Sequence, residues 1–161
     1  MIKVYTDGAC LDNPGPGGWA AVFPFSTKIK HIEGSEKQTT NNRMELKAIV
    51  KSLQFIKDNH VKLKGREINL YSDSAYVINS ITKNWLEVWK TNGWKTVKGD
   101  DVKNKDLWEE FYEIRKLLRK LGYTIKFVKV KGHSGDTFNE MVDKIARQQA
   151  NSLKQSLYYK Q

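Results

Sequence analysis

Near Asn42 the spacing of apolar residues changes from two to 3.6, and that switch limits the folds open to this chain. Before it, Ile2 and Val4 alternate with Lys3 and Tyr5, and GWAAVFPF (18–25) and IKHIEG (29–34) read as two further strands. The segment from Asn13 to Gly18 between them must turn, because proline lacks an amide donor and glycine admits positive φ. After the switch, Leu46, Ile49, Val50, Leu53 and Ile56 form the stripe of an amphipathic helix. EINLYSD (67–73) is a fourth strand, SAYVINSI (74–81) a short helix and TIKFVKVKG (124–132) a fifth strand. A strand, a helix and a strand in succession imply a right-handed parallel crossover. The expected fold is α/β: a five-stranded mixed sheet, three antiparallel strands followed by parallel additions, flanked by helices.

The stretch from Asn84 to Lys105 is rich in Trp and Lys and reads as an excursion from the core, which Trp89 and Trp94 hold together. Asp106-Leu107-Trp108-Glu109 has the form of a capping box, and the long helix it opens carries acids first and bases last before Gly122 stops it. Thr137 to Glu140 opens a final helix by the same logic, expected to run through about Ser152. At 161 residues with 39% hydrophobic content, the chain suits one core-forming domain, not a disordered segment. Its expected bounds are 1–152, with the excursion at 84–105 and a loosely held tail at 153–161.

Four carboxylates stand in separate local settings: Asp7 in VYTDGAC, Glu45 in TTNNRMEL, Asp73 in LYSDSAY and Asp143 in NEMVDKIA. Each has an ordinary use. Asp7 before Gly8 suits a turn, Asp73 a helix cap, Glu45 a cap completed from Asn42, and Asp143 a first-turn acid favoured by the helix dipole. Taken jointly they fall where strands end or helices begin, which is where sites form in open α/β sheets. Four convergent carboxylates cannot all stay ionised without cations. Hard oxygen donors favour Mg²⁺ or Mn²⁺ over zinc, and the lone Cys10 builds no thiolate cluster. Two such ions roughly 4 Å apart activate water and stabilise the leaving oxygen of a phosphodiester.

A formal net charge of +10 points to a polyanion partner or to solubility alone. The excess is local, since residues 115–131 carry seven Lys and Arg and no acid. A single cysteine fits a reducing compartment, and no apolar run reaches the roughly 18 residues of a membrane span. A cytoplasmic monomer with no membrane association is expected.

The segments YTDGACLDNPGPGGW, TTNNRMEL, YSDSAYV, NGWKTVKGDDVKNKDLW and VKGHSGDTFNEMVDKIA resemble, in order and over roughly residues 1–150, the signature blocks of type 1 ribonuclease H. The resemblance, to the freestanding bacterial or phage form, implies an endonuclease that hydrolyses the RNA strand of RNA/DNA hybrids with two Mg²⁺ ions, Mn²⁺ being a possible substitute. The products are 5′-phosphate and 3′-hydroxyl ends. It further implies Asp7, Glu45, Asp73 and Asp143 as metal ligands, His133 as a loop residue for proton handling and product release, and Asn139 and Glu140 as their neighbours.

For the substrate, the resemblance assigns 2′-hydroxyl detection to the Cys10 to Asn13 backbone, Asn41, Glu45 and Ser74. It assigns a DNA phosphate to Thr40 and Asn41, and deoxyribose packing to Asn42 and Trp85. Lys90, Lys95 and Lys98 match a basic handle that is diluted here by Thr91-Asn92 and Asp100-Asp101. Ala75 stands where a glutamine often contacts the groove. Two alternatives are a hybrid-binding module without catalysis, disfavoured by the complete acid set, and a DNA nuclease of the same fold such as an integrase or resolvase core, disfavoured by TNNRMEL.

Overall fold

A computed structural model describes residues 1–131 and 136–159. Three strands open it, β1 (Ile2–Cys10), β2 (Gly15–Pro24) and β3 (Ile29–Thr39), followed by helix α1 (Asn41–Asp58). Then come β4 (Glu67–Ser72), α2 (Ala75–Thr82), α3 (Trp85–Thr91), α4 (Lys105–Lys120), β5 (Thr124–Lys129) and α5 (Thr137–Tyr159). The sheet order is β3-β2-β1-β4-β5. β2 pairs antiparallel with both β1 and β3, whereas β4 pairs parallel with both β1 and β5, so the expected mixed sheet is present.

Both faces of β2 are covered, and its period of two distributes its residues between two cores. Ala21 and Phe23 pack with the α1 stripe and with Trp108 and Phe111 of α4. Ala20 and Val22 pack with Val142 and Ala146 of α5. That double burial explains why GWAAVFPF reads as a continuous apolar run. At Gly18 an added Cβ would lie 2.3 Å from the Ala146 carbonyl oxygen, so α5 rests directly on the β2 backbone.

Several local expectations are corrected. β1 runs past Asp7 to Cys10, because Gly8, Ala9 and Cys10 continue the ladder with Trp19, Gly18 and Gly17; Asp7 therefore lies within a strand and does not end one. Helix α1 is capped by Thr40, whose Oγ1 accepts from the Arg43 amide at 3.2 Å, and not from Asn42. The Asp106 box does not form: α4 begins after Asn104 in the left-handed region, and the Asp106 carboxylate is taken by Arg43. Asp136 caps α5, its Oδ1 accepting from the amides of Phe138 and Asn139 at 3.0 and 3.1 Å. The same helix continues beyond Ser152 to Tyr159, into the segment expected to be a loose tail.

The excursion also contains more structure than expected, since α3 forms there and Leu86 and Val102 join the main core. Trp89 and Trp94 pack partly buried against that core. Ring contacts run inward from Trp85 through Trp89 to Trp108, at centroid separations of 6.5 and 5.9 Å. Among the described residues no helix is long and apolar enough to cross a membrane.

Candidate active site

The parallel pairing of β1 with β4 sets Tyr5 beside Tyr71, their rings stacked at 4.6 Å. Two residues further along the chain from each stand Asp7, within β1, and Asp73, one residue past the end of β4. Glu45 arrives from α1, which approaches β1 at Gly8: a Cβ there would lie 2.4 Å from the Glu45 amide nitrogen. One carboxylate oxygen each from Asp7, Glu45 and Asp73 lies within 4.8 Å of the others. Asp7 and Glu45 are buried, at 4% and 5% exposure, and Asp73 is half-buried.

Asp143 enters from α5. It lines a cleft of about 30 Å³ with Asp73, Asn139 and Glu140, and its carboxyl group also interacts with Asp7. One helical turn on, Arg147 Nη2 stands 2.6 Å from Asp143 Oδ2. All four predicted acids thus converge, although only the first three form the tight group.

Crowding without a cation has an electrostatic consequence. Burial pushes the Asp7 carboxyl up to about 7; a hydrogen bond with Glu45 opposes the rise, and Asp73 and Asp143 add to it. Burial, then Asp7 and then Asp73, raises Glu45 well above the usual carboxylate range. The Gly8 amide donates to Asp7 Oδ1 at 2.9 Å. Glu45 Oε2 is buried and meets no donor among the described residues. An oxygen left so is costly unless a proton or a cation meets it, so this donor set fits a hard divalent ion.

Asn13 Oδ1 accepts from the Asn41 amide at 3.0 Å, which joins the β1–β2 loop to the start of α1. Cys10 Sγ donates to the carbonyls of Thr39 at 3.3 Å and Gly15 at 3.5 Å. Asn41 and Asn42 are exposed beside the Thr40 cap. Ser74 is nearly buried, and its hydroxyl accepts from the Val77 amide at 3.2 Å. Trp85 is exposed, with Lys83 Nζ 5.8 Å above its ring.

In the excursion, Lys90 sits over the Tyr112 ring, Lys95 pairs with Asp101 and Lys98 is exposed. Asn139 is buried and Glu140 exposed. His133 lies outside the described residues. Three contributors were missed: Arg43, Asp136 and Arg147. Arg147 was legible as a cation at i+4 from Asp143, and Asp136 as an acid just before a helix. Arg43 pairs with Glu36, seven residues away, and with Asp106, 63 residues away, and no local signal marks the second.

Sheet, crossover and acid cluster together define an α/β core able to hold divalent cations. The RNase H family model matches residues 1–151. The chain is 51% identical over 152 residues to a ribonuclease H of Syntrophomonas wolfei, covering 94% of this chain and 97% of that one. Among solved structures it resembles LC9-RNase H1, a type 1 RNase H with the type 2 active-site motif, with a TM-score of 0.76 and 28% identity over 94% of this chain and 72% of that one. It shares its fold with LC11-RNase H1, solved in complex with an RNA/DNA hybrid, at a TM-score of 0.66 and 21% identity over 94% of this chain and 98% of that one. The chain belongs to the RNase H family of enzymes.

Proposed function

We propose that this enzyme hydrolyses the RNA strand of RNA/DNA hybrids endonucleolytically, leaving 5′-phosphate and 3′-hydroxyl ends. The observation that carries the reading is the gathering of Asp7, Glu45 and Asp73 within 4.8 Å, with a buried Glu45 oxygen lacking a donor. Asp7, Glu45, Asp73 and Asp143 would hold two Mg²⁺ ions, with Mn²⁺ able to substitute. Bound there, the ions supply an activated water and neutralise charge developing at the scissile phosphate.

The chain's own groups supply position. Asp7 is fixed within β1, Asp73 just past the end of the adjacent parallel β4, and Glu45 by a buried helical turn, so little reorganisation is needed when a substrate arrives. Asp143 stands on α5 beside Arg147, whose guanidinium balances its charge.

The loop of Cys10 to Asn13 and the start of α1 form one unit through the Asn13 to Asn41 hydrogen bond. Their exposed main chain, with Asn41, Glu45 and Ser74, would read 2′-hydroxyls from the minor groove, where RNA differs from DNA. Thr40 and Asn41 would hold a DNA phosphate at the helix start, and Asn42 and Trp85 would pack on deoxyribose. Lys90, Lys95 and Lys98 would add phosphate contacts. His133 would handle protons and product release, and Asn139 and Glu140 would support the acids that they border. The protein would act as a cytoplasmic monomer.

The test is incubation of purified protein with a labelled RNA/DNA hybrid, duplex DNA and duplex RNA, with and without Mg²⁺. Cleavage confined to the hybrid's RNA strand and dependent on Mg²⁺ is expected, and is abolished in a folded Asp7→Asn variant. An intact hybrid would overturn the function; an active variant would overturn the site.

A further inference from the structure

Helix α4 carries its acids first and its bases last, and the two sets line different grooves. Glu109, Glu110 and Glu113 line a groove against Lys57 and Asp58 of α1. Arg115, Lys116, Arg119 and Lys120 line a different groove, of about 460 Å³, with Tyr112 and with Glu87 of α3. Compensating the helix dipole accounts for bases in the last turn, but not for their gathering with Tyr112 and Glu87 in one groove. This groove contains the start of the acid-free run at 115–131, which the cleavage site leaves unused.

The groove has a fixed floor. Arg115 is buried at 7% exposure, its Nη2 2.8 Å from Glu87 Oε1 and its guanidinium 5.2 Å from the Phe111 ring centre. Glu87 is thereby matched by Arg115, while Lys116, Arg119 and Lys120 stand exposed at the rim with no second acid among the lining residues. The lining offers no aliphatic side chain for an apolar peptide or a lipid tail. Trp85 and Glu87, two residues apart on α3, project to nearly opposite sides, and Lys90, over the Tyr112 ring, borders the groove.

We infer that the α3–α4 groove is a second nucleic-acid contact, which takes the phosphate backbone of duplex outside the cleaved segment. Charge complementarity carries the choice of occupant, since closely set cations on a polyanion bind through counterion release without reading sequence. Such a contact would tether the enzyme beside its hybrid and lower KM only for substrates with flanking duplex. The inference rests on hybrid cleavage for its role, but not for its binding test.

That test compares wild type with the triple variant Lys116→Ala, Arg119→Ala, Lys120→Ala, all exposed positions, with melting temperature as the folding check. Binding of inert duplex DNA is followed by anisotropy across a salt series. Loss of three phosphate contacts should reduce the slope of log K against log salt by about 2 to 3. Amide shifts on adding duplex DNA to wild type should include 115–120. KM for a short hybrid should stay within about twofold, and the advantage of a hybrid embedded in duplex DNA should disappear. An unchanged salt slope, absent shifts at 115–120, or equal loss on short and embedded hybrids would each overturn the proposal. Failure of wild type to cleave any hybrid would strike the proposed function and leave the binding result standing.

Discussion

Gly8 and Glu45 touch through their backbones: a Cβ on Gly8 would lie 2.4 Å from the Glu45 nitrogen and 2.4 Å from the Met44 carbonyl carbon. That approach lets a helical carboxylate reach a strand carboxylate. Replacing Gly8 with Ala forces a backbone, not a flexible side chain, to move. Overpacking of this kind costs about 1–3 kcal/mol. Denaturant titration should show that loss, and hybrid cleavage should fall more steeply than stability because the displaced element carries Glu45.

Protonation of the acid cluster sets a pH dependence of stability. Asp7 is raised from 3.8 to about 7 in the folded protein, so between those values the unfolded chain has released a proton that the folded chain still holds. Stability must therefore fall as pH rises through that window, because the folded state binds more protons. Glu45, whose carboxyl is also raised by burial, adds to the fall. In chelator, melting temperature should decline from about pH 4 toward neutrality. Asp7→Asn and Glu45→Gln should flatten the decline, and Mg²⁺ should stabilise wild type increasingly as pH rises. A flat wild-type profile would refute the cluster's electrostatics.

Arg43 forks onto Asp106 with bonds of 2.9 and 2.6 Å, tying the start of α1 to the start of α4. The pair is partly solvated, the Asp106 side chain being 62% exposed, so its coupling should be about 1 kcal/mol or less despite good geometry. A double-mutant cycle on Arg43→Ala and Asp106→Ala measures it. Lys at position 43 should recover little, since an ammonium cannot make the paired contact.

Asp136 holds the first turn of α5 through two amides. Its replacement by Ala should cost about 1 kcal/mol and speed hydrogen exchange at Phe138 and Asn139. Because α5 also carries Asp143, the Mg²⁺ concentration for half-maximal cleavage should rise. Exchange that stays slow would show that the cap is dispensable.

The elements were largely legible because they follow from local spacing. The stripe from Leu46 to Ile56 needs only its own periodicity to declare a helix, and EINLYSD only its own composition to declare a strand. Element ends were less legible, since they depend on distant partners: β1 continues past Asp7 because Gly17, Gly18 and Trp19 are there to pair, and the Asp106 box fails because Arg43 takes its carboxylate. Ser152 did not end α5, because nothing within that stretch breaks a helix.

By itself, the sequence determined which residues could serve: the order of strands and helices, four acids in recognisable settings, and a local excess of cations. Each acid, taken singly, was equally a turn, a cap or a solvated first-turn residue. Only the tertiary structure brought Asp7, Glu45 and Asp73 within one ion's reach and set the bases of α4 in a groove with Glu87 and Tyr112. The physical reason is that local patterning reports what each segment hides from water. The register of β1 on β4 and the close seat of α1 at Gly8 decide which hidden charges meet.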